Sequence, residues 1–206
     1  MSHYSSRSNR KLILASTSPY RCSLMERLGI PFTALPPRYE EQIDPSLSPA
    51  ELVKQLALGK AASLAAEYPD SIIIGSDQVL ESRGRIVGKP GSPERAREQL
   101  REMAGGVHTF YTGLAVIDAA NNLKFCDCVP FTVTLRSLTE TEIRDYVSKE
   151  NPVDCAGSFK IEGLGIVLME KMEGDDFTAL IGLPLISLTS MLRRVGINPL
   201  LNDTGM

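Results

Sequence analysis

Three consecutive isoleucines at positions 72–74 constrain the fold of this chain more than any other feature. They lie in the run 71–76, which is β-branched and too short for a helix of ordinary length. A short continuous apolar run is typical of a central strand that is buried on both faces. A strand of that kind needs helices on both sides of its sheet, so the run predicts an α/β fold. Asp77 follows directly, where we expect the strand to end.

Helix start signals alternate with the other apolar runs. Ser18-Pro19 joins an N-cap residue to a proline at the first helical position, and Ser48 and Thr139 each stand three residues before a glutamate, as in a capping box. Strands are predicted at residues 11–15, 32–35, 71–76, 107–117, 125–135 and 166–168. Helices are predicted from 18 to a stop at Gly29, from 48 to about 68, from 92 to about 103, from 139 onward, and over 184–194 before Gly196.

This order of elements predicts a mixed twisted sheet flanked by helices. The runs on either side of Asn121-Asn122 predict an antiparallel hairpin, whereas the earlier strands alternate with helices as parallel strands do. The chain has 206 residues, which suits a single domain, 1–206, with residues 1–9 and 201–206 as flexible tails.

Composition and charge exclude several classes of protein. Hydrophobic residues make up 43% and charged residues 23%, which is an ordinary globular mixture and not that of a disordered chain. A net charge of −3 argues against a protein that mainly binds nucleic acid. We find no membrane span or secretory signal and expect a cytoplasmic protein. Four irregularly spaced cysteines and two histidines predict buried free thiols and no zinc cluster.

Polar residues follow two of the predicted strands, where α/β folds bind ligands. Ser16 to Arg21 form a turn into a helix, which could hold phosphate through backbone N–H groups and the Arg21 guanidinium, or could be a plain cap. Lys60 lies beside the buried face of its helix and must either extend to solvent or meet an anion. Asp77, after the isoleucines, needs a cation, a metal or a role in proton transfer.

Two loop segments add weaker candidates. Glu40-Glu41 could bind a hard cation through oxygen, although such a pair is more often surface charge. Lys89 stands in the constrained turn Gly88-Lys89-Pro90, where a solvated lysine is the usual alternative.

Taken together, these motifs resemble those of the Maf-like nucleoside triphosphate pyrophosphatases. The resemblance covers residues 11–199 and rests on Leu14-Ala15-Ser16-x-Ser18-Pro19-x-Arg21, Glu41, Lys60, Gly75-Ser76-Asp77, Gly88-Lys89-Pro90, Thr112-Gly113 and Gly157-Ser158-Phe159. It implies two lobes around a central cleft, hydrolysis of a nucleoside triphosphate to monophosphate and pyrophosphate, and a divalent metal (Mg, Mn or Co). By similarity, Asp77 is the proton acceptor and Glu41 and Asp77 bind metal. Ser16, Arg21, Lys60 and Lys89 would bind phosphate.

Three further positions, Tyr20, Gln78 and Glu162, resemble the 7-methyl-GTP pyrophosphatase subfamily, since the subfamily acting on dTTP and UTP carries Arg, Thr and Gln there. A glutamate can accept from guanine N1–H and the exocyclic amine, and an aromatic ring suits a cationic methylated base. Cys22 departs from the pattern, because many relatives have a second basic residue there. The alternatives are a dTTP/UTP pyrophosphatase and a non-catalytic nucleotide-binding regulator of cell division. A homodimer is compatible with this size.

Overall fold

A computed structural model describes residues 10–42, 44 and 46–201. Residues 1–9 and 202–206, where flexible tails were predicted, lie outside the described residues; Leu201, also assigned to a tail, is exposed. The strands are β1 (Leu12–Leu14), β2 (Thr33–Ala34), β3 (Ile72–Ser82), β4 (Arg85–Val87), β5 (Val107–Asp118), β6 (Leu123–Leu135) and β7 (Met169–Glu173). The helices are α1 (Pro19–Glu26), α2 (Pro49–Ala62), α3 (Pro93–Met103), α4 (Glu140–Glu150), α5 (Phe177–Ile181) and α6 (Leu185–Arg194).

The seven strands form one mixed sheet, as predicted. Its order is β2-β1-β3-β5-β6-β7, and β4 pairs with the far end of β3. β1 is parallel to β2 and β3, whereas all other pairs, including the predicted hairpin of β5 and β6, are antiparallel. Among the described residues, no helix is long and apolar enough to cross a bilayer.

Four of the five predicted helix starts are confirmed by side-chain caps. Ser48 and Thr139 both form complete capping boxes with the glutamate three residues later. The side chains of Ser18 and Ser92 cap α1 and α3 and precede a proline in the first turn. These signals act within four residues of chain, so they do not depend on the rest of the fold.

The prediction that Asp77 ends its strand is wrong. β3 continues to Ser82, because β5 pairs with all of its eleven residues from Ile72 onward. On the opposite edge, β1 ends at Leu14 beside Ile74, and β4 begins its pairing only at Leu80. Within the part of the chain that the structure describes, residues 75–79 therefore have a strand partner on one side only. Asp77 lies in this gap.

Two other predicted elements differ. Residues 166–168 form a 3₁₀ turn (Leu164–Leu168) and not a strand, since the backbone N–H of Met169 donates to the carbonyl oxygen of Ile166, and β7 starts only at Met169. α2 ends at Ala62 and continues toward residue 68 only as turns. The short elements β4 and α5 were not predicted.

The core divides into two lobes that share β3 and β5. In one lobe, Leu14, Ile74 and Leu114 pack under α1 and α6, and a separate apolar layer with Ile73 packs under α2 on the other face. The second lobe contains α3, α4 and the far ends of β3, β5 and β6, with Leu80 in its core. The predicted two-lobed arrangement is present, and residues 75–79 lie between the lobes.

α2 lies unusually close to the sheet because two glycines face it. A Cβ atom at Gly75 would collide with the carbonyl oxygen of Ala57, and one at Gly113 would collide with that of Val53. We call these two residues the glycine floor. The close approach places Lys60, in the last turn of α2, next to β3.

Candidate functional site

A cleft of about 620 Å³ opens between the lobes at the gap in the sheet. Eight of the nine predicted site residues line it: Tyr20, Arg21, Glu41, Lys60, Asp77, Gln78, Lys89 and Glu162. They come from α1, α2, β3 and the loops beside them, which explains why positions as far apart as 20 and 162 share one site.

Four charged side chains meet at the centre of the cleft. Lys60 Nζ lies 3.0 Å from Asp77 Oδ1 and 2.7 Å from Glu41 Oε1. Arg21 Nη2 lies 3.8 Å from the same oxygen of Asp77. Lys60 is only 7% exposed, so it meets anions and does not extend to solvent. This decides between the two alternatives that its helical position allowed.

The Arg21 side chain spans the open edge of β3. Its Nε donates to the carbonyl oxygen of Gly182 at 2.8 Å, while its Nη2 faces Asp77. Burial lowers the pKa of Arg21 from its usual value, and the negative charges of Asp77 and Glu41 oppose that shift. A partly buried guanidinium with a fixed orientation can clamp an anion that enters the cleft.

Ser16 is the one predicted site residue that does not line the cleft. It is buried beneath the turn before α1, and its Oγ accepts a bond from the backbone N–H of Ser18 at 3.1 Å. In this position it stabilises the turn that carries Arg21. A direct contact of Ser16 with phosphate stays a prediction.

Tyr20 and Glu162 lie close together in the cleft, and we call the part of the cleft around them its tyrosine end. Tyr20 Oη is 4.0 Å from the sulfur of Cys155, and burial, followed by the effect of Cys155, raises the pKa of Tyr20 to about 12. The charges of Glu162 and Asp154 act in the same direction, so the tyrosine hydroxyl stays protonated at neutral pH. This end therefore offers a neutral aromatic ring beside two carboxylates.

Gln78 is held in place by hydrogen bonds from its amide nitrogen. The nitrogen is within bonding distance of Thr112 Oγ1 (3.0 Å) and of the carbonyl oxygens of Ala179 (2.8 Å) and Leu180 (3.2 Å). These contacts use both amide protons. The amide oxygen of Gln78 is left as the atom that can accept a hydrogen bond from a ligand.

Few side chains in the cleft could serve as metal ligands. In residues 10–42, 44 and 46–201 no group of three His, Cys, Asp or Glu side chains is arranged to hold a metal ion. Glu41 and Asp77 are brought together by their shared contact with Lys60. Mg²⁺ is usually bound by one or two carboxylates together with substrate phosphates, so this pair fits a metal that arrives with a nucleotide.

Sequence reasoning missed several residues of the site. Cys155 and Asp154 also line the cleft, as does Gly182, whose carbonyl oxygen holds Arg21. The irregular segment around 155 has no periodic pattern that could have placed it. Cys22, next to Arg21, packs against the core under α1, and burial raises the pKa of its thiol.

Known proteins resemble this chain closely. A 7-methyl-GTP pyrophosphatase of Syntrophotalea carbinolica is 57% identical over 190 residues, which cover 92% of this chain and 96% of that protein. A Ham1 protein structure from Staphylococcus aureus has a TM-score of 0.50 at 13% identity, covering 90% of this chain and 100% of that chain, and is alike in fold. A HAM1 protein from Coxiella burnetii has a TM-score of 0.48 at 14% identity, covering 90% and 99%. The model of the Maf-like protein family matches residues 11–195, and the chain belongs to that family.

Proposed function

We propose that this protein hydrolyses 7-methyl-GTP to 7-methyl-GMP and pyrophosphate. The observation that carries the proposal is the ion cluster of Asp77 with Lys60 and Arg21, inside a cleft large enough for a nucleotide. The 57% identical relative, which is named as a 7-methyl-GTP pyrophosphatase, supports the choice of substrate.

The reaction needs charge neutralisation more than any other assistance. Water attacks the α-phosphorus, a new P–O bond forms, and the bond from that phosphorus to the oxygen bridging to the β-phosphate breaks. Pyrophosphate leaves with negative charge, which cations close to the leaving group stabilise. Lys60, Arg21 and Lys89 supply positive charge around the cleft.

Asp77 accepts the proton of the attacking water, or would help Glu41 to hold a metal. Before substrate enters, its carboxylate contacts Lys60 and Arg21. A triphosphate competes for the same two cations, so its binding releases Asp77 for chemistry. Binding and activation of the base are thereby coupled through one set of contacts.

The tyrosine end of the cleft selects the base. Glu162 accepts hydrogen bonds from guanine N1–H and from the exocyclic amine, and the amide oxygen of Gln78 adds a further hydrogen-bond acceptor. Uracil and thymine present an acceptor at O4, which a carboxylate repels. Methylation at N7 makes the guanine ring cationic, and the Tyr20 ring attracts a cation across its face.

A divalent cation, Mg²⁺, Mn²⁺ or Co²⁺, would be held by Glu41 and Asp77. When bound, it would neutralise charge on the phosphates. Lys60 contacts both carboxylates in this structure, so the cation and Lys60 would share them.

The proposal also covers location and assembly. All four cysteines are free thiols, which supports a reducing compartment such as the cytoplasm. A homodimer stays a prediction, and sedimentation of the purified chain tests it.

The test uses the full chain with 7-methyl-GTP, GTP, UTP and dTTP, each without metal and with Mg²⁺, Mn²⁺ or Co²⁺. Pyrophosphate and orthophosphate are measured separately. We expect metal-dependent release of pyrophosphate, with the highest kcat/KM for 7-methyl-GTP. A preference for UTP or dTTP would overturn the substrate, and release of orthophosphate alone would overturn attack at the α-phosphorus. Binding without any turnover would favour the nucleotide-binding regulator.

A further inference from the structure

We propose that Ser76 is a positioning residue, which orients Arg21 for phosphate binding through the carbonyl group of Gly182. The proposal rests on the pyrophosphatase function above and adds a residue that makes no contact with substrate. Ser76 is completely buried and does not line the cleft.

A short chain of hydrogen bonds connects Ser76 to Arg21. Ser76 Oγ lies 2.9 Å from the carbonyl oxygen of Gly182 and 2.8 Å from that of Gly113. The hydroxyl has one proton, so it donates to one of the two carbonyls at a time. The carbonyl oxygen of Gly182 also accepts the bond from Arg21 Nε at 2.8 Å.

α5 by itself does not fix the position of the Gly182 carbonyl group. α5 has five residues, and an isolated helix of that length is not stable in water. Gly182 follows it with a left-handed backbone, at a φ of 119°. The last carbonyl groups of a helix have no partner within the helix, so other groups must hold them.

One face of the sheet provides those partners. Successive side chains of a strand point to opposite faces, so Ser76 and Gln78 share the face opposite to that of Asp77. Thr112, which pairs with Gln78, donates to the carbonyl oxygen of Ala179 at 2.8 Å, and Gln78 contacts that oxygen as well. Ser76 donates in the same way to the carbonyl oxygen of Gly182, which is the one that binds Arg21.

Arg21 depends on this anchor because its guanidinium has two competing partners. Nε is bound to Gly182 on one side of the strand edge, and Nη2 faces Asp77 on the other. When the carbonyl is free to move, the guanidinium can turn fully toward Asp77. It is then less available to phosphate, and Asp77 is less available to water.

A double-mutant cycle on kcat/KM for 7-methyl-GTP tests this inference. Ser76→Ala should lower kcat/KM about tenfold, as expected for one lost hydrogen bond that orients a charged group. Arg21→Ala should lower it about 100-fold. If Ser76 acts through Arg21, the double variant should be no worse than Arg21→Ala alone. Independent effects would multiply to about 1000-fold, and that result would overturn the proposal.

Three controls keep the result interpretable. Ser71→Ala removes another buried serine hydroxyl, on the residue just before β3, and should leave kcat/KM unchanged. In an Arg21→Lys background, which lacks Nε, Ser76→Ala should have no further effect. Ser76→Cys replaces Ser76→Ala in the cycle if the alanine variant does not fold.

Failure of the proposed function is distinguishable from failure of this inference. If the wild-type protein releases no pyrophosphate from any triphosphate, the function is wrong. The same cycle is then measured as the Kd for inorganic tripolyphosphate. Coupling between positions 76 and 21 in that Kd supports the anchor, and additive effects overturn it.

Discussion

Replacement of Asp77 by asparagine probes the centre of the site most directly. The change keeps the shape of the side chain and one acceptor oxygen, but removes a negative charge 3.0 Å from Lys60 Nζ and 3.8 Å from Arg21 Nη2. An asparagine amide cannot accept a proton from water. Turnover should therefore fall at least about 100-fold, equivalent to about 2.7 kcal/mol of transition-state stabilisation.

The effect on stability should be smaller than the loss of activity. Removal of one partner from a buried ion pair costs about 3–5 kcal/mol when the other charge is left alone. Lys60 is not left alone, since Glu41 lies 2.7 Å from its Nζ and is about half exposed to solvent. We expect the free energy of unfolding to fall by about 1–2 kcal/mol. For a chain of this length that is a drop in Tm of about 2–8 °C.

Three measurements on Asp77→Asn separate the possible roles of the carboxylate. Steady-state release of pyrophosphate gives turnover, thermal unfolding gives stability, and titration with the triphosphate gives Kd. The Kd should stay the same or decrease, because the variant leaves two cations with less competition for the phosphates. Retention of more than a tenth of wild-type turnover would refute the role of Asp77. Loss of binding in parallel with turnover would mean that Asp77 only organises the cations.

Further predictions concern four other positions. Arg21→Ala should lower kcat/KM about 100-fold, whereas Cys22→Ser, on the same turn, should leave it nearly unchanged, and equal losses in both would contradict a specific role of Arg21. Glu162→Gln should shift preference from 7-methyl-GTP toward UTP or dTTP by about 1–3 kcal/mol, read as the ratio of kcat/KM values. A backbone bond from Thr139 and then Arg136 hold the pKa of Glu142 at about 2, below its ordinary 4.5, so its contribution to stability is present above pH 4.5 and is lost as pH falls toward 2. Glu142→Gln should remove that part of the dependence of Tm on pH.

Local signals predicted much of this fold. The caps at Ser48 and Thr139 and the turn between β5 and β6 are encoded within a few residues, and the structure has them where expected. The end of β3 was placed wrongly because the length of a strand is set by its partner. β5 pairs with β3 as far as Ser82, and the residues around Asp77 carry no sequence pattern that predicts this pairing.

The part of the candidate site that consists of charged side chains could be predicted from the sequence. Arg21, Lys60 and Asp77 are charged residues at positions where charge is unusual, and the sequence pattern alone singles them out. The choice between a solvated and a buried Lys60 needed the fold, since its partner Glu41 comes from a loop distant from it along the chain. The role of Gly182 could not be inferred from the sequence. Every residue has a backbone carbonyl group, so the residue type does not indicate that this one binds Arg21. In addition, α5 has only five residues and is too short to show a helical pattern.

The glycine floor limits how this enzyme can be made more heat-resistant. Replacing glycine with alanine often stabilises a protein, because it restricts the unfolded chain. At Gly75 or Gly113 the added methyl group would instead push α2 away from the sheet and carry the Lys60 ammonium out of reach of Asp77. Stabilising exchanges of glycine for alanine must therefore avoid these two positions. Because Gly75 and Gly113 lack a Cβ atom, α2 packs close enough to the sheet for Lys60 Nζ to lie 3.0 Å from Asp77 Oδ1.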